Sequence, residues 1–317
     1  MGIFWRGEHT FAELHALGGD VGVYPPPKHT YYVDKEGGSD GNTGLGSWRD
    51  AKATYQAGLT AATVADNRYR DVDLIVAPAE YDEQAVVSGV IQGQYSGSTW
   101  YGWRMGRLRI IAMGQKVILK NSTDDDSHTL DVLRMKVELH GGTFRNYTDD
   151  SGAAATAEFA GVHWDRGGYK AALGDVIGGA MYGCRVEGRS SARVGIDFDA
   201  ASYVHVEDCW ISGWHYGVLY AANGLGYPTE GVLCHNRFRD NTNDIMLGGA
   251  QFLLMENNIH MDSGTTLFVG VSTLAGRTGT VTDSFCAGAI LNATSMNSGQ
   301  FPVISGLEIA DTHTHDR

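Results

Sequence analysis

Asp208, His235 and Glu256 are the side chains of this 317-residue chain whose types and spacing could carry acid–base chemistry. Each stands directly before a triplet of small or amide residue, variable residue and large apolar residue: Cys209-Trp-Ile211, Asn236-Arg-Phe238 and Asn257-Asn-Ile259. Side chains alternate across a strand, so if the first and third residues of each triplet face inward, the three acid–base residues share one outward column. Trp210, Arg237 and Asn258 form the next. Acid residues beside an aromatic suit a sugar groove, in which a carboxylate pair hydrolyses a glycosidic bond or a base removes the proton α to a uronate carboxylate. Asp208, His235 and Glu256 are therefore the candidate catalytic residues, and Trp210 and Arg237 the candidate glycan contacts. Without catalysis, the same column is a polar outer face or a subunit contact.

Other candidate chemistry is weaker. His205, His215, His235 and His260 lack a metal-ligand spacing with defined partners, and Asp124-Asp-Asp126 reads as a solvated turn. Asp34, Glu36, Asp40 and Asn42 offer oxygen ligands for calcium but not in the EF-hand order. The four cysteines lie far apart with no C-x-x-C, so they read as reduced, buried thiols rather than a zinc site or a disulfide framework. Neither a metal nor a cofactor is expected. The triplets at Asn121, Asn146 and Asn292 match the glycosylation pattern by chance.

The triplets are part of a longer repetition. With Cys184-Arg-Val186 and Asp283-Ser-Phe285 included, the apolar positions 186, 211, 238, 259 and 285 are 25, 27, 21 and 26 residues apart. A second series runs out of phase: Gly195-Ile196, Gly217-Val218, Asp244-Ile245, Thr266-Leu267 and Gly288-Ala289. Two interleaved strand signals per period, without helical spacing, predict a β-solenoid in which each coil buries its inner face against its neighbours. Equivalent residues then stack about 4.8 Å apart, which places Asn236 on Asn257 as an internal amide pair and Cys184 beside Cys209.

Composition agrees with a solenoid. There are 43 Gly, as a chain with a tight corner at every coil requires, and only 6 Pro and 19% charged residues, which excludes a disordered chain. A net charge of −13 with no Lys/Arg-rich run excludes nucleic acid as a partner. No apolar run is long enough to span a membrane, and the first residues lack the pattern of a secretory signal, so folding in a cytoplasm is expected.

Residues 1–30 read as an arm. Thr10-Phe-Ala-Glu13 caps a two-turn helix with Phe11, Leu14 and Leu17 on one side, and Tyr24-Pro-Pro-Pro27 forms an extended spacer. So small an apolar face must dock on the solenoid or on a partner. Beyond it come a tyrosine-rich strand, the loop Gly38-Ser-Asp-Gly-Asn42, a helix over about 47–65 capped by Ser47 and Asp50, and the strand Val72-Asp-Leu-Ile-Val76. This opening resembles that of right-handed parallel β-helix proteins of the pectin-lyase-like superfamily, the fold also used in tailed-phage spikes and decoration proteins. The resemblance covers residues 31–295 and implies an all-β solenoid, with Trp48, Tyr55 and Leu59 of the capping helix covering the open end of the core. Segments 92–104 and 145–170 read as loops, and 301–317 as a terminal strand and tail.

The resemblance does not extend to catalytic motifs: the Arg-x-x-Lys base of pectate lyases and the paired aspartates of polygalacturonases are missing. The favoured expectation is a structural virion protein of a tailed phage, a capsid decoration or short spike protein. It would be a homotrimer bound to capsid or tail proteins through its arm, with a surface polysaccharide as a further partner. The competing expectation is a polysaccharide lyase or glycoside hydrolase.

Overall fold

The computed structural model describes residues 29–64, 67, 71–88, 107–122, 127–133, 135–146, 159–165, 179–188, 194–199, 201, 204–221, 231–247, 254–261, 265–267, 280–285, 291–292 and 303–304. The candidate contacts Phe11, Leu14 and Leu17, the Pro-rich spacer, segment 92–104 and most of the tail lie outside these residues. The first strand, His29–Val33, takes in the last two residues of the expected arm.

The chain is a parallel β-helix. From Val72 to Leu247 each coil carries three strands, as in Val204–Glu207, Trp210–Ser212 and Tyr216–Ala221, which pair in parallel with their counterparts on the coils before and after. Three stacks of strands result, here called the first, second and third sheets, and the strand Leu254–Met261 joins the first two. The sequence shows two signals per period because the first two strands are separated only by Asp208 and Cys209 and read as one. The segment 145–170, expected as a loop, contains the strand Ala160–Asp165, which pairs with Leu130–Leu133 and Val194–Asp199.

Inward columns fill the interior. Leu74, Ile110, Leu139, Met181, Val206, Leu233 and Met255 stack along the first sheet, each at most 2% exposed. Val186, Ile211 and Phe238 do so along the second, and Ile196, Val218 and Ile245 along the third. Each large side chain of this kind contributes about 1.5–3 kcal/mol through burial. Cys184 and Cys209 are buried and unbridged, as expected.

The turn between the first and second strands has one design on four successive coils. Its first residue takes a left-handed backbone (Gly183 φ 61°, Asp208 φ 53°, His235 φ 56°, Asn257 φ 55°), and its second residue points inward (Cys184, Cys209, Asn236, Asn258). The expected partner of Asn236 was Asn257, but Asn258 is the fully buried one and Asn257 is exposed at the turn. The error is one residue and runs on: His260, not Ile259, pairs with Phe238 and lies inside, its ring stacked on Phe238 at 4.9 Å and its Nδ1 2.8 Å from Asp244 Oδ2. In the third sheet, Leu267 pairs with Met246, and Leu291 with Thr266; the expected Ala289 lies outside the described residues.

At the N-terminal end, helix α1 (Tyr55–Ala62) is shorter than the expected 47–65. The Ser47 signal gives only a single 3-10 turn, Trp48–Asp50, in which the Ser47 hydroxyl donates to Asp50 rather than capping the backbone. Thr54 is the cap in use: its hydroxyl accepts the Ala57 N–H, while Asp40 accepts the N–H groups of Ala53 and Thr54. Those bonds outweigh the effect of burial and leave the Asp40 carboxyl below its ordinary value. Asp40 is thus part of a cap. Tyr55 and Leu59 are buried, but Trp48 is 38% exposed and packs on Tyr32, outside the core.

Candidate functional site

The site is set by the turn column and by the outer faces of the two sheets beside it. Asp208 and His235 occupy equivalent left-handed positions on successive coils, followed by Asn257. Glu256 does not belong to this column: it pairs with Cys234, which pairs with Glu207, in the last outward column of the first sheet. The expected trio is therefore split. Trp210 and Arg237 pair directly, as expected, with Arg185 before them and Ile259, not Asn258, after them.

Gln115, Arg185, Asp208, Trp210, His235 and Arg237 line a surface depression of about 280 Å³. Arg237 places its guanidinium 6.0 Å over the Trp210 ring, within cation–π range, and makes no ion pair among the described residues. Arg185 and Arg237 thus flank one indole, a coil apart on either side.

Backbone geometry explains part of this composition. Left-handed φ disfavours most residues, while Asn, Asp, His and Gly tolerate it, so Asp208, His235 and Asn257 are types the turn selects for its own sake. The feature that drew attention to them in the sequence is accounted for without catalysis.

A second group lies one column over. His205 and Glu207 are two residues apart on one strand and face outward together, and Cys234 lies opposite Glu207 on the next coil. His205 Nε2 is 3.3 Å from Glu207 Oε2 and 3.3 Å from Cys234 Sγ, and His235 Nδ1 is 3.7 Å from the other Glu207 oxygen. Tyr182 packs edge-on against the His205 ring. The Cys234 thiol is pushed up to about 11, first by burial and then by the charges of Glu207, Asp208 and Glu256, so it is protonated at neutral pH and is no nucleophile. The sequence reading passed over this group, although the 27-residue step from Glu207 to Cys234 is the same as that from Ile211 to Phe238.

Earlier coils of the same face are engaged in ion pairs: Arg107 with Asp71 and Glu138, and Arg109 with Asp73. Burial raises the Glu138 carboxyl, but the His140 hydrogen bond and the Arg107 charge outweigh it and hold it below the ordinary value. On the third sheet His163 Nδ1 is 2.9 Å from Asp131, and the His128 ring stacks on His163 at 3.9 Å. One ligand atom each of His128, Asp131 and His163 also lie within 4.8 Å of one another, and His128 Nδ1 accepts the Ala160 N–H at 2.9 Å.

No protein-family model matches the chain, and no curated protein matches it. Among solved structures it is similar to the pectin methylesterase of Aspergillus niger, with 12% identity and a TM-score of 0.47 over 90% of this chain and 88% of that one. It is also similar to Escherichia coli ybhc (12% identity, TM-score 0.47, 87% and 75% covered) and to pectate lyase Pel9A (10%, 0.37, 84% and 78%). The parallel β-helix itself stands on this chain's own strand pairing.

Proposed function

We propose that this chain is a structural β-helix protein that binds an acidic polysaccharide across its second sheet without cleaving it. The observation that carries this reading is the row Arg185, Trp210, Arg237 in the surface depression. An indole face accepts the apolar face of a sugar ring, and a guanidinium binds a uronate carboxylate through two parallel hydrogen bonds. Asp208 and His235 supply polar walls, and their identities follow from the turn. The biological setting proposed is a tailed-phage particle, with the protein as a decoration or short spike protein, trimeric and anchored by residues 1–30. It is supported by the small apolar face of Phe11, Leu14 and Leu17, which needs a partner to be ordered.

The second reading is a polysaccharide lyase or hydrolase. It is favoured by the Glu207–His235 contact at 3.7 Å, a carboxylate positioned to orient an imidazole base beside the depression. Calorimetry and product assays on a panel of acidic and neutral polysaccharides separate the two. We expect saturable binding of a polyuronate, weakened about tenfold or more by Trp210→Ala and by Arg237→Ala, corresponding to about 1.4 kcal/mol each, with no unsaturated or reducing-end product. Turnover lost in His235→Gln, Glu207→Gln or Asp208→Asn overturns the structural reading.

A further inference from the structure

We propose that His205, Glu207 and Cys234 form a binding site for one zinc-class divalent ion, with a fourth position open to water. The three ligand atoms lie within 4.8 Å of one another, and two measured separations, His205 Nε2 to Glu207 Oε2 and to Cys234 Sγ, are both 3.3 Å. In a tetrahedral site with metal–ligand bonds of about 2.0–2.3 Å, neighbouring ligand atoms stand about 3.3–3.6 Å apart. Two of the three separations are therefore already those that an ion requires, and the third, from Glu207 to Cys234, is within 4.8 Å.

The mounting is rigid. His205 and Glu207 come from one paired strand, and Cys234 from the strand hydrogen-bonded to it, so the backbone fixes the relative positions of the three groups. Tyr182, on the preceding coil, holds the imidazole plane from its edge. His235 approaches the Glu207 oxygen that does not face His205, where it orients the carboxylate.

The charge balance points the same way. Glu207, Asp208 and Glu256 all act electrostatically on Cys234, and among the described residues Glu207 forms ion pairs only with the two histidines. A cation relieves this concentration of negative charge. A thiol and an imidazole among the ligands select a zinc-like ion over calcium or magnesium, which prefer oxygen. On binding, the Cys234 S–H proton passes to solvent as the sulfur–metal bond forms, and His205 ligates through Nε2 with its proton on Nδ1.

The test is titration of the chelator-treated full-length chain with Co²⁺, followed by competition with Zn²⁺. One equivalent should bind, with the visible bands of four-coordinate cobalt and a near-ultraviolet thiolate charge-transfer band. Cys234→Ser should abolish the charge-transfer band, while Cys286→Ser, a thiol control, should leave it intact. Losing a group that merely orients a ligand costs about 10–100-fold in affinity, so His205→Gln should lose at least that much. If Cys234→Ser does not fold, as judged by circular dichroism, His205→Gln decides alone. Binding of several cobalt ions without a charge-transfer band, a band that survives Cys234→Ser, or full affinity in His205→Gln overturns the proposal.

Discussion

Asn236 uses every polar atom of its side chain inside the core. Its Oδ1 accepts the Cys209 N–H at 3.0 Å, and its Nδ2 donates to Val206 O and to Asn258 Oδ1, both at 2.9 Å. Removing that side chain strands several buried groups at about 1–3 kcal/mol each, so Asn236→Ala should cost about 3–5 kcal/mol in denaturant unfolding, with an unchanged m-value. A loss under about 1 kcal/mol would show that the amide ladder is not a stabilising feature. Asn257 is the contrasting case, because exposure and left-handed φ make Asn257→Gly neutral or mildly stabilising. The pair also shows why the sequence was legible only in part. The triplet pattern located the inward Ile211 and Phe238, but Asn257-Asn258 offers two amides in succession, and either fits an inward stack or a left-handed turn. Ile259 then looked like the core residue because it is apolar. The chain instead buries His260, with its Nδ1 on Asp244 and its ring on Phe238, partners that no local pattern reveals.

At the scale of the element, α1 shows how one helix completes an exposed strand. Glu83 accepts the N–H groups of Tyr55 and Gln56 at 2.8 and 3.0 Å, satisfying donors that a helix N-terminus leaves free. The Gln56 side-chain amide then pairs with Val86, accepting from its N–H and donating to its carbonyl, as a neighbouring strand would. Val86 lies in Ala85–Ser88, the edge strand of the third sheet, so the contact covers backbone groups that would otherwise invite another chain. Gly58 permits the close approach, since a Cβ there would collide with Val33 Cγ2. Leu59→Ala should cost about 2–5 kcal/mol through lost burial and a cavity, whereas Trp48→Ala, outside the core, should cost under about 1 kcal/mol. Equal losses in thermal unfolding would return Trp48 to the core. The sequence revealed a helix here but placed its start on the Ser47 signal, because the competing cap draws on Asp40, which is 14 residues before Thr54 and adjacent to it only in the fold.

At the scale of the molecule, a β-helix gains stability coil by coil, so its ends and outer faces are where assembly is decided. The first-sheet edge strand His29–Val33 pairs with Val72–Val76 and follows directly on residues 1–28. Removing those 28 residues therefore takes away no described strand pair. If the arm holds the proposed trimer, the shortened chain should keep its β-sheet circular dichroism and cooperative unfolding, while its mass by light scattering falls from three chains to one. It should also fail to join particles. Replacing Phe11, Leu14 and Leu17 together with Asp tests the same face without shortening the chain, and should give the same loss, because the apolar contact and not the length makes the joint. A trimer that survives both changes would move the subunit contact onto the outer faces of the β-helix. The row Arg185, Trp210, Arg237 would then be the first surface to examine for it, and its exposure as a glycan site would have to be measured again in the assembled state.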